Sequence, residues 1–145
     1  MPGKIAIALI PLLLGGLIYV TYRADTLIMF GWFHQFRLQG ITDAFRSNIF
    51  LQKLAIPDWI KFSLPDALWL FSFTYTMLLF WDFTITKQSI VWICLAPVVG
   101  LVSELGQLVN IIPGTFDIID LILLILAASL PLLAVKNLKS NPIIF

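Results

Sequence analysis

Four long apolar stretches restrict this chain to helices that cross a membrane or lie against one. They cover about 5–22, 64–81, 89–112 and 116–135. A bilayer core of about 30 Å takes roughly 20 mostly apolar helical residues, so each stretch is long enough to span it. The stretches are continuously apolar rather than alternating, which disfavours a β-barrel. The whole chain agrees, with 60% hydrophobic residues, 12% charged residues and a mean hydropathy of +0.98. Ordinary soluble domains carry about 25% charged residues. The expected fold is all-α, a polytopic membrane protein with one transmembrane domain over 1–145 built as a four-helix bundle.

The first stretch also has features of a signal peptide, including Lys4 ahead of the apolar run. Its run exceeds the usual h-region of about 7–15 residues, and Tyr19-Val20-Thr21-Tyr22-Arg23 offers no small-residue cleavage site. It is therefore expected to be retained. Pro65 suits the first turn of the second helix, where its missing N–H is no loss. Trp59, Trp81 and Trp92 fall near span ends, as interfacial aromatics do. The spacing predicts that the third helix ends near Ile111 and is kinked at Pro97. A tight turn follows over Ile112-Pro113-Gly114-Thr115, with Thr115 as N-cap and Asp117 in the first turn of the fourth helix. Gly15, Gly16, Gly100, Gly106, Ala127 and Ala128 would permit close helix contact.

The segment 23–63 keeps too many large apolar residues for an ordinary loop. Thr26 to Phe36 is too short to span, and Ile41 to Leu54 repeats Ile41, Phe45, Ile49 and Leu54 near helical spacing. Both are expected to be interfacial or re-entrant helices, serving as a lid or merely covering the bundle. Lys4, Lys87, Lys136 and Lys139 lie close to span ends on the side of the termini. Arg23, Arg37, Arg46, Lys53 and Lys61 are spread through the long segment on the other side. This bias favours cytoplasmic termini in a bacterial-type inner membrane.

Charge placement points to a site. From Gln88 to Val135 there is no Lys, Arg or His, yet the segment holds Glu104, Gln107, Asn110, Asp117 and Asp120. Intramembrane carboxylates are costly and usually functional. Glu104 and Gln107 share a helix face, as do Asp117 and Asp120. A short turn would bring Glu104, Gln107 and Asp120 to similar depth, with Asp117 nearer the mouth. Desolvation and mutual repulsion disfavour the charged form of such a group. Relief would come from protonation, from a divalent cation, from a cationic ligand, or from Arg23, Arg37, Arg46 or Lys61 reaching in. The alternative is that these polar groups only join two helices. Asp66 suits the dipole of its own helix and lies on the same side as the cluster.

The remaining polar residues say less. Ser72, Thr74 and Thr76 are expected to bond their own helix backbone. Cys94 lies in an apolar run, and His34 lacks companion ligands. One Cys and one His exclude an internal disulfide and the usual zinc ligand sets. A net charge of +1 gives no basic face for nucleic acid. No cofactor motif is evident.

The third and fourth spans carry Glu104-Leu-Gly-Gln107 and then Pro113-Gly114-Thr115-Phe116-Asp117-Ile-Ile-Asp120. This order resembles the signature hairpin of VanZ-like membrane proteins, an E-x-x-Q helix, a Pro-Gly turn and Asp on the next helix. Thr115 stands where that family commonly has Arg, Leu124 where Asn is common, and Ala127 in place of a Gly. The resemblance implies site roles for Glu104, Gln107 and Asp120, with Asp117 beside them. It also implies an envelope function related to glycopeptide resistance.

Together these readings give an envelope protein whose acidic pocket binds or modifies a lipid-linked or cell-wall-related amphiphile. Were it an enzyme, Glu104 or Asp120 would be the general acid or base. No nucleophile–base pair or nucleotide motif accompanies them. Two other classes fit the same residues. One is ion- or proton-coupled transport, which with so few spans would call for a homodimer. The other is an accessory subunit bound to a larger membrane protein.

Overall fold

The computed structural model describes residues 2–24, 28–47 and 56–135. Among the described residues every element is helical. The elements are α1 (Pro2–Tyr22), α2 (Ile28–Gln35), α3 (Gln39–Arg46), α4 (Asp58–Phe62), α5 (Leu64–Phe80), α6 (Lys87–Leu108) and α7 (Ile118–Ser129), with a 3₁₀ turn at Leu130–Ala134. Two of them, α1 and α6, are long and apolar enough to cross a membrane. α5 and the Ile118–Ala134 helix are shorter apolar helices. Of the four long spans expected, two are helices long enough to cross a membrane, and the second and fourth are shorter.

α5 is the central helix. It packs against α1, α6 and α7, while α6 and α7 also pack on each other. Its buried residues explain this position. Ala67, Leu70, Ser72, Thr74, Tyr75 and Leu78 point in several directions, so the helix is covered on more than one side. Ala8, Tyr75, Leu78, Phe83 and Ile93 form one core cluster, and Ala67, Leu70 and Ala127 another. α1, by contrast, exposes Ile5, Ile7, Leu9, Ile10, Leu13 and Leu14. An exposed apolar face of that size suits lipid rather than water.

α1 runs antiparallel to α5, and their contact is polar as well as close. The Ser72 hydroxyl donates to the Ala8 carbonyl (2.5 Å), and Trp69 Nε1 donates to the Leu12 carbonyl (3.2 Å). Ser72 therefore bonds a neighbouring helix rather than its own. Thr76 keeps the expected bond to its own helix backbone, and the buried Thr74 hydroxyl has no partner among the described residues. Lone hydroxyls favour their own i−4 carbonyl, but a neighbouring backbone this near competes for them. Gly15 permits the approach: a Cβ there would lie 2.8 Å from Trp69 Nε1 and 3.1 Å from the Pro65 carbonyl oxygen. Gly15→Val should therefore push α1 off α5 and cost about 1–3 kcal/mol, the usual range for overpacking. Gly16→Ala meets nothing within 4 Å and should be neutral. Denaturation midpoints of the two variants in one detergent test the pair.

Helix ends differ from expectation in informative ways. α6 begins at Thr86, whose side chain accepts from Ser89 N–H while Ser89 Oγ accepts from Thr86 N–H, a capping box. It ends at Leu108, short of the expected Ile111. Asn110 adopts a left-handed conformation (φ 57°), and Ile111 N–H returns to the Gly106 carbonyl (2.9 Å). Asn tolerates that conformation well, so it closes the helix as a C-terminal cap. α7 begins after Asp117, whose carboxylate accepts from Ile119 N–H (2.8 Å), so Asp117 replaces Thr115 as N-cap. Of the two helices expected in 23–63, the first is α2. The second is seen as α3, and its expected continuation through Ile49 to Leu54 lies outside the described residues, as do Lys53, Lys136 and Lys139.

Candidate functional site

The site lies where four helix ends meet: the C-termini of α1 and α6, and the N-termini of α5 and α7. The antiparallel course of these helices brings those ends together. A cavity of about 570 Å³ opens there, walled by Arg23, Asp66, Glu104, Gln107, Asp117 and Asp120. The six residues come from four segments, so the expected convergence of Glu104, Gln107 and Asp120 extends to Asp66 and Arg23. Ser63, Ser103, Gly114 and Thr115 also line it. Ser63 and Ser103 were not singled out from sequence, and Gly114 and Thr115 were given only turn and capping roles. Ser103 had a local signal, as the neighbour of Glu104.

Glu104 holds the hairpin together. It is buried, only 5% exposed, and its Oε1 accepts from Asp117 N–H at 3.0 Å. In a capping box that N–H would be taken by the residue at the third helical position, which in α7 is Asp120. Glu104 takes the role from a neighbouring helix, and Asp120 is released from it. Asp120 Oδ1 is buried with no partner among the described residues. Gly114 lets Gln107 pack against the turn. A Cβ on Gly114 would stand 2.7 Å from Gln107 Cδ and Oε1, and its φ of +148° disfavours any other residue.

Arg23 supplies the cation that the hairpin lacks. Its Nη2 donates to the Phe62 carbonyl (2.7 Å) and reaches Asp66 Oδ2 at 3.5 Å. Its guanidinium lies over the Tyr19 and Phe62 rings, 5.4 and 5.3 Å from their centroids. Its Nε is buried without an acceptor among the described residues. The other proposed cations do not line the cavity. Arg46 instead donates to the Val20 and Arg23 carbonyls (2.9 and 2.6 Å), capping the end of α1 and so positioning Arg23. Lys61 pairs with Asp58 at 3.0 Å, and Arg37 sits exposed in a left-handed turn after α2.

Asp66, Gly100 and Leu124 also wall a second cavity of about 540 Å³. The rest of its lining is mainly apolar, including Leu12, Trp69, Phe73, Ala96 and Val99. A polar chamber and an apolar groove thus share a wall. Among the described residues no three of His, Cys, Asp and Glu are placed to hold one metal ion. Cys94 is exposed on α6, away from both cavities. No family model, curated protein or solved structure matches the chain.

Proposed function

We propose that this protein is a VanZ-like, multi-pass envelope membrane protein that binds a lipid-linked or cell-wall-related amphiphile. The observation that carries this reading is the shared wall between the polar chamber and the apolar groove. A ligand with a polar head and an alkyl chain needs both surfaces side by side. The E-x-x-Q and P-G-x-F-D-x-x-D order supports the family reading.

In this reading α1, α5, α6 and the Ile118–Ala134 helix each cross the bilayer. α5 has 17 residues, about 25 Å of helix at 1.5 Å per residue, near the lower limit for a span. The termini are cytoplasmic, which places the chamber near the opposite face. Glu104→Gln and Asp120→Asn keep shape and remove charge. Each should raise glycopeptide sensitivity in a strain that depends on this protein, at unchanged protein level. Wild-type sensitivity in both strains would overturn the proposal.

A further inference from the structure

We infer that the polar chamber holds the hydroxyl groups of an uncharged sugar head, on an amphiphile whose chain lies in the adjoining apolar groove. The inference rests on the amphiphile reading above and adds the chemistry of the head.

Two residues on the chamber wall carry unpaired polar atoms of opposite kind. The first atom is a donor. Arg23 makes its hydrogen bonds from Nη2, to Phe62 and Asp66, while its buried Nε–H finds no acceptor among the described residues. The second is an acceptor. Asp120 takes no hydrogen bond from a described residue, and its Oδ1 is buried. A buried donor or acceptor left unpaired is costly, so each marks a bond that the chain itself does not supply. Arg23 follows the end of α1 and Asp120 lies in the first turn of α7, so the two come from separate helices that meet at one cavity.

Charge decides the class of group that could serve both. A cation would pair with carboxylates but offers Arg23 nothing to donate to. An anion would suit Arg23 but would face Asp66, Glu104, Asp117 and Asp120 around the same cavity. A hydroxyl meets both needs, since its oxygen accepts from the guanidinium while its proton goes to the carboxylate. The rest of the polar lining has the same mixed character. Ser63, Ser103 and Thr115 carry hydroxyls and Gln107 an amide, all able to donate and to accept. These groups come from several segments, so a ring bearing hydroxyls on several sides complements them better than a single hydroxyl. The cavity, about 570 Å³, has the size of a small-molecule site, about 300–1,000 Å³.

The test ranks lipids of identical acyl chains on the purified full-length protein, by native mass spectrometry from a neutral detergent. Glucosyl diacylglycerol carries sugar hydroxyls and no charge. Its fully O-methylated form accepts hydrogen bonds but donates none. Phosphatidylethanolamine carries an ammonium, and phosphatidylglycerol a net negative charge. Glucosyl diacylglycerol should bind about tenfold more tightly than each of the other three, the scale of one hydrogen bond to a charged group. This ranking needs no variant. Asp120→Leu removes an acceptor, so it should weaken the glucosyl lipid and leave the O-methylated one unchanged. Arg23→Met removes a donor and should weaken both. Val99→Trp fills the groove from a position that is 60% exposed, so it should weaken all four lipids alike. Equal binding of the glucosyl and O-methylated lipids, or tighter binding of either phospholipid, overturns the sugar assignment alone so long as Val99→Trp still weakens them. Binding that Val99→Trp leaves unchanged overturns the amphiphile reading as well.

Discussion

Replacing Gly114 with alanine is expected to destabilise the protein by roughly 2–5 kcal/mol and to disorder the polar chamber at the same time. Two costs combine. A φ of +148° is reserved for glycine, and forcing another residue into such a region costs about 1–3 kcal/mol. The added Cβ also stands 2.7 Å from the end of the Gln107 side chain. Crowding of that kind costs about 1–3 kcal/mol, less where the neighbour swings aside. Gln107 is flexible at its tip, so it is expected to move out of the chamber wall. The two costs are separable. Gln107→Ala in the Gly114→Ala background should recover the crowding part and not the backbone part. Urea midpoints of the single and double variants in one detergent measure both.

The second large effect concerns Glu104. Glu104→Leu should cost up to about 1.5–3 kcal/mol, the range for a hydrogen bond to a charged group, because it removes the buried acceptor that ties Asp117 N–H to α6. Glu104→Gln retains a carbonyl oxygen at the same place and should cost under about 1 kcal/mol. The hydrogen bond and the charge are thus separable at one position: leucine removes both, glutamine mainly the second. Asp120 offers a fallback. It occupies the third position of α7, from which a side chain can reach back to the N-cap amide. In Glu104→Leu it should do so. Glu104→Leu combined with Asp120→Leu is then expected to cost more than the two single changes added together, a departure from additivity that a double-mutant cycle measures.

Much of this arrangement was legible in the sequence, because helix periodicity and turn chemistry are local. Pro65 set the start of α5, and Pro113-Gly114 set the turn that folds α6 back onto α7. The three-residue spacing of Glu104 and Gln107 fixed their common face. Other features depended on competition between local signals. Thr115 and Asp117 are both good N-caps, and the one whose own amide found Glu104 prevailed. Asn110 looked like one more polar group of the site, whereas its tolerance of a left-handed backbone makes it the cap of α6. The rest was not local at all. Nothing near Arg23 marks it as the chamber's cation rather than Arg46, Arg37 or Lys61. That choice follows from α1 lying antiparallel on α5 over the Gly15–Trp69 contact, which delivers residue 23 to residue 66. Ser72 bonding to Ala8 has the same origin.

The path of the chain through this chamber also sets an order of biogenesis. Translation runs from the N-terminus, so Arg23 is made before Asp66, and long before Glu104, Asp117 and Asp120. The counter-charge waits for the acids. The acids of the α6–α7 hairpin, in a stretch over 88–135 without Lys, Arg or His, are made when Arg23 at the end of α1 is already present. Reversing that order would leave the acidic hairpin without this counter-charge until its partner was made.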